Sequence, residues 1–123
     1  MKHAFIDTNA LLTLANQSRL FENIASQLPT YTPAIVEGVR IELQQLAIGS
    51  SKDARAAKLA LDILNKQDLK TFTNSTQYVD AALIAVASAQ DAIITLDKAL
   101  QKEAATNGIA VFTIARKRLR QVA

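Results

Sequence analysis

A chain of 123 residues, half of them apolar, holds one domain with a real core and leaves no room for a second. It contains no cysteine and a single histidine, His3, which excludes a disulfide framework, a thiolate zinc site and a histidine metal cluster; a metal here would be held by oxygen. The net charge of +3 is uneven, because residues 98–123 carry Lys98, Lys102, Arg116, Lys117, Arg118 and Arg120 against Glu103, and a basic end on a near-neutral body suits a polyanionic partner such as RNA.

Apolar runs alternate with helical patterns along the chain. Residues 3–7 read as a strand, after which Thr8-Asn9 opens a helix to about residue 15. Residues 19–28 form a second helix closed by Pro29, and 30–32 a brief strand. Pro33 then opens a helix that ends near residue 48, at Gly49. Ser50-Ser51-Lys52-Asp53 caps an alanine-rich helix over 54–65 with Leu59, Ile63 and Leu64 facing inward, and 69–73 make the next strand. Asn74-Ser75-Thr76 caps an apolar helix that runs to about residue 90. Residues 92–96 are a buried strand, 97–106 a helix stopped by Asn107-Gly108, and 109–114 a last strand. The segment RKRLRQVA (116–123) follows as a basic tail, or as a helix that pairs with a second copy through Leu119 and Val122.

Strands alternating with helices imply right-handed crossovers, so the expected fold is a three-layer α/β/α sandwich with a central parallel sheet, its domain spanning 1–115. No apolar stretch reaches the roughly 18 residues of a membrane span. The start MKHAFIDTN lacks the apolar middle of a secretory signal, so a cytoplasmic protein without a membrane partner is expected.

Asp80 stands alone among apolar residues, the only charge between Thr71 and Gln90. At about 100° per residue it falls within the apolar arc of YVDAALIAVASA, which predicts a buried carboxylate that must be paired, neutralised or metal-bound. Asp7 and Asp97 end the first and fourth strands. In parallel sheets ligand sites form beyond those carboxyl ends, although either residue could also be a simple helix cap. On the helix after Pro33, Glu42 lies about 60° from Val39 and flanks the core, while Glu37 lies about 160° away and faces water. Glu42 is the better choice and Glu37 the second. Glu22 and Glu103 read as solvated face residues. Four such acids around one cleft would bind Mg²⁺ or Mn²⁺, because like charges at close range raise one another's pKa until a cation compensates them.

The segments IDTNALL (6–12), VRIELQQL (39–46) with KDARAAKLAL (52–61), YVDAAL (78–83) and ITLDKALQKEAATNGIAVFTI (94–114) together resemble a PIN domain over almost the whole chain. They are similar in particular to archaeal relatives of ribosomal-RNA-processing nucleases, with toxin ribonucleases more distant. Carried over residue by residue, Asp7, Glu42, Asp80 and Asp97 occupy the family's acidic positions, as catalytic and metal-binding residues, and Thr8 or Asn9 the polar position beside the first. The chain departs from the pattern at Val79, where an acid often precedes Asp80, at Leu96, where a polar residue is usual, and in the longer stretch from Pro33 to Glu42. The resemblance implies a Mg²⁺- or Mn²⁺-dependent ribonuclease, often dimeric.

Four readings follow. The first is a metal-dependent endoribonuclease acting in rRNA or other RNA processing, with Arg116, Lys117, Arg118 and Arg120 gripping RNA. The others are a catalytically weak RNA-binding relative, a toxin ribonuclease blocked by an antitoxin protein, and a phosphate-receiver domain. The last fits least, because Asp7 has no acidic neighbour.

Overall fold

The computed structural model describes residues 2–67, 69–73 and 78–123. A single sheet of six strands runs through it: β1 (Lys2–Ile6), β2 (Tyr31–Val36), β3 (Lys70–Phe72), β4 (Ala92–Ile94), β5 (Ala110–Ala115) and β6 (Arg118–Gln121). Their order is β3-β2-β1-β4-β5-β6. The first five are parallel and β6 returns antiparallel to β5. Six α-helices flank the sheet: α1 (Thr8–Leu12), α2 (Leu20–Gln27), α3 (Glu37–Leu46), α4 (Lys52–Lys66), α5 (Val79–Val86) and α6 (Lys98–Thr106). A 3₁₀ turn, Thr13–Asn16, links α1 to α2. The three-layer α/β/α sandwich is therefore the architecture, with one antiparallel edge strand on an otherwise parallel sheet. Among the described residues no helix is long and apolar enough to cross a membrane.

Strands covered on both faces are apolar throughout, and the central pair shows it: Ala4, Phe5 and Ile6 of β1 and Ala92, Ile93 and Ile94 of β4 are all fully buried. The chain moves to one side of β1 for β2 and β3 and to the other for β4 and β5, so the strand order reverses between β1 and β4. That seam is where the carboxyl ends of an open α/β sheet leave a crevice.

Four local expectations need correction. Pro33 does not open a helix; it lies inside β2, opposite Ala4, and the helix begins at Glu37. Strand β3 pairs with β2 only from Ala34 onward, so at Pro33 that side of β2 is an edge, where a residue without an N–H is tolerated. Helix α4 buries its alanines, Ala54, Ala57 and Ala60, together with Leu64, and leaves Leu59 40% exposed. Small side chains let α4 approach α3 and α1 closely, and the larger leucine turns outward. The apolar helix α5 stops at Val86, short of residue 90, because the Asp91 carboxylate captures the Ser88 N–H (2.9 Å), the Ser88 hydroxyl (3.0 Å) and the His3 N–H (2.9 Å) and turns the chain into β4. The predicted cap at 74–76 lies outside the described residues.

The fourth correction concerns 116–123, which is neither a tail nor a helix. Arg116 (φ 52°) and Lys117 (φ 61°) form a two-residue hairpin turn with both residues left-handed, and β6 pairs back along β5. Leu119 is buried in the chain's own core and so is not available to a second copy. Helix α2 latches the strand: Asn23 Nδ2 donates to the Lys117 carbonyl (2.7 Å), and the Gln27 side chain bonds both the N–H (2.9 Å) and the carbonyl (3.0 Å) of Leu119.

Candidate active site

Strand β1 ends by handing its last N–H, that of Asp7, to the Ile94 carbonyl of β4 (3.0 Å), so the residues after both strands emerge side by side. Asp7 is 5% exposed. Its Oδ1 accepts from the Thr8 N–H (2.8 Å) and its Oδ2 from Thr95 Oγ1 (2.8 Å) and Asn9 Nδ2 (3.2 Å). Thr95, fully buried after β4, also accepts the Asp97 N–H (3.1 Å), while Asn9 Oδ1 accepts the Leu96 N–H (3.0 Å). Two side chains, Thr95 and Asn9, thus lock the Asp7 carboxylate to the loop that carries Asp97.

Asp7, Asp97, Glu42 and Asp80 line one cleft of about 670 Å³, with Thr8, Asn9 and Glu103. Glu37, exposed on the first turn of α3, is not among the lining residues. The acids come from four places in the chain and meet at the carboxyl edge of the sheet. Asp7 and Asp97 are also helix caps: Asp7 for α1, and Asp97 for α6 through Ala99 N–H (2.8 Å) and Leu100 N–H (3.1 Å), both on Oδ1. Capping and lining coexist, since the cap bonds of Asp97 occupy one oxygen.

Asp80 is exposed, contrary to the apolar-arc expectation. Helix α5 begins at Val79 and buries only Ala82 and Leu83, so Asp80 stands in its first turn at the rim of the cleft. With Asp7 and Asp97 as caps, three carboxylates sit at helix N-termini, where the positive ends of the peptide dipoles offset part of their mutual repulsion. The offset is incomplete. Burial pushes the Asp7 carboxyl above its usual range; hydrogen bonds from Thr95 and Thr8 pull it down, and Asp80 and Glu42 push it up again. Asp80 is raised by partial desolvation first, then by Asp97, Glu42 and Glu103.

Two participants escape the sequence reading. Thr95 gives no signal beyond being a threonine at the end of a buried strand. Glu103 does give one: it lies about 60° from Leu100, as Glu42 does from Val39, and each flanks a buried pair, Leu100 with Ala104 and Val39 with Leu43.

Among the described residues, every charged or polar donor facing the cleft is oxygen or amide, which suits hard divalent cations. Among the described residues no group of three His, Cys, Asp or Glu side chains converges tightly enough to hold a metal by itself, so the acids line a cleft rather than close into one coordination shell. Mg²⁺ commonly binds through one or two carboxylates and keeps several waters, and that mode fits. A second observation agrees: Thr8 Oγ1, buried against this cleft, has no hydrogen-bond partner among the described residues.

The model of the PIN-like domain family matches residues 4–118. Among solved structures, the PIN domain endonuclease Utp24 superposes with a TM-score of 0.76 at 25% identity, over 98% of this chain and 90% of that one. No curated protein matches the sequence. With the family model spanning nearly all of the fold just described, the chain belongs to the PIN-like domain family.

Proposed function

We propose that this protein is a Mg²⁺- or Mn²⁺-dependent endoribonuclease of RNA processing, rRNA included, working in the cytoplasm. The observation that carries the proposal is the convergence of five carboxylates on one cleft at the β1/β4 seam, with the most buried of them, Asp7, fixed by Thr8, Asn9 and Thr95. The similarity to a PIN domain endonuclease supports it. Asp7, Asp80 and Asp97, with Glu42, would hold the ion, and water would complete its shell. Bound there, a divalent ion lowers the pKa of a water and stabilises negative charge on a phosphodiester.

The chain's own groups do the positioning. Asn9 and Thr95 keep Asp7 in one rotamer, and the unpartnered Thr8 hydroxyl offers a bond to a water beside it. Glu103 adds charge at the rim. The β5–β6 turn lies at the same carboxyl edge, so Arg116, Lys117 and Arg118 stand where they can take backbone phosphates, with Arg120 further along β6.

The deciding experiment is cleavage of labelled RNA with Mg²⁺, Mn²⁺ or EDTA. Cleavage should need the metal, and Asp80→Asn should lower the rate by about a hundredfold or more, because even partners behind metal ligands are worth about ten- to a hundredfold. Equal rates for the wild type and a carefully purified mutant overturn the assignment. RNA that binds but stays intact points to the catalytically weak relative instead.

A further inference from the structure

Beside the acidic cleft runs a second groove of about 550 Å³, walled by α1, the 3₁₀ turn and the start of α4. Asn9 and Leu12 line both hollows, so the two adjoin. Their chemistry differs sharply. The cleft presents five carboxylates; the groove presents Lys52 and Arg55 against the single Asp53. One guanidinium nitrogen of Arg55 donates to the Ser50 carbonyl (3.0 Å), which steadies the side chain while using one of its five N–H donors. The groove also shows apolar surface, half-buried Leu12 and the outward Leu59, which α4 leaves out of the core.

A polyanion crossing five carboxylates is repelled unless cations beside them compensate. The hairpin cations lie toward β6. Toward α4, Lys52 and Arg55 are the cations that line the adjoining hollow. From this adjacency and the change of charge sign, we propose that the groove is a second RNA subsite, holding the single strand on one side of the scissile phosphate. Lys52 and Arg55 take its phosphates, and Leu12 and Leu59 receive a ribose or base face. The proposal deepens the ribonuclease reading and rests on it for the identity of the ligand.

The test reads binding alone: fluorescence anisotropy of a short labelled uridine-rich single strand with the intact protein in EDTA, across a range of salt. Lys52→Gln/Arg55→Gln should weaken binding at low salt about tenfold and reduce the slope of log affinity against log salt by about 1.4, two phosphate contacts at roughly 0.7 each. Leu59 is exposed, so Leu59→Lys and Leu59→Glu keep the fold and lose its apolar contact alike while differing in charge; the first should bind RNA more tightly than the second. An unchanged affinity and slope in the double variant, with no response to charge sign at 59, overturns the subsite. The two readings fail separately. A protein that cleaves RNA with Mg²⁺ yet ignores these substitutions loses the groove and keeps the nuclease; one that responds to them yet never cleaves keeps the groove and loses the nuclease.

Discussion

Asp80 works against the fold at neutral pH, and Asp91 works for it. Partial desolvation and the facing carboxylates of Asp97, Glu42 and Glu103 raise the pKa of Asp80, so the folded state binds its proton more tightly than the unfolded chain does. Its contribution therefore becomes less favourable as pH rises from the unfolded pKa through the folded one, and stays so at neutrality. In EDTA, Asp80→Asn should raise stability at pH 7 by up to about 0.5 kcal/mol, as befits an exposed site. That gain should vanish below about pH 3.9, where both states are protonated; thermal melts at the two pH values check it. Asp91 has the opposite sign. Burial alone would push it up, but the N–H groups of Ser88 and His3, the Ser88 hydroxyl and the nearby His3 ring outweigh burial and hold it low. Its stabilisation is complete above the unfolded pKa and drains as pH falls through the folded one. Asp91→Ala should cost about 2 kcal/mol at pH 7, because it strands donors at a buried position, and urea titrations should show the deficit closing in acid. Asp7, Glu42 and Asp97 were legible in the sequence because strand ends and helix faces have definite periods. The exposure of Asp80 was not, since the arc argument holds only in the middle of a helix and α5 starts one residue before it.

At the scale of elements, the end of α6 is set by Gly108, left-handed at φ 74°. Its N–H bonds the Ala105 carbonyl (3.0 Å) and the Ile109 N–H bonds that of Ala104 (3.0 Å), the Schellman pattern. A Cβ there would meet nothing within 4 Å, so Gly108→Ala should cost only the backbone term, about 1 kcal/mol by chemical denaturation. The hairpin at Arg116-Lys117 offers the reverse experiment. Asn-Gly is the dipeptide this turn geometry prefers, and Arg116→Asn/Lys117→Gly should raise stability by about 1 kcal/mol. The same change should weaken RNA binding and flatten its salt dependence; unchanged binding would remove the turn from the RNA site. This hairpin was illegible beforehand for the same reason. A turn without Gly, Asn or Asp and a strand with one buried residue, Leu119, carry neither the turn signal nor the alternation by which hairpins are found. Strands β1, β4 and β5 were readable as short apolar runs between turn signals. The sequence shortens strand β2, because Pro33 reads as a helix start, and the late start of the neighbouring strand explains its place there.

At the scale of the whole molecule, a net positive chain gathers five of its eleven carboxylates in one hollow, with cations on both sides of it. The arrangement stores electrostatic free energy, since Asp7 and Asp80 are raised by burial first and then also by neighbours of their own sign. A ligand that binds only the folded state stabilises it by mass action, and a divalent cation in the cleft would relieve that repulsion directly. At about ten times its dissociation constant, Mn²⁺ or Mg²⁺ should add roughly 1.4 kcal/mol, a rise of about 5 °C in Tm for a domain of this size. A monovalent salt matched in ionic strength should not reproduce the shift, because screening acts on every surface charge while the cation acts on one cluster. Asp7→Asn and Asp80→Asn should each lose most of the rise, and Glu37→Gln, which sits outside the cleft, should keep it. A shift of equal size in Asp80→Asn would mean that the ion binds elsewhere, and the five carboxylates would then need a different explanation for standing together.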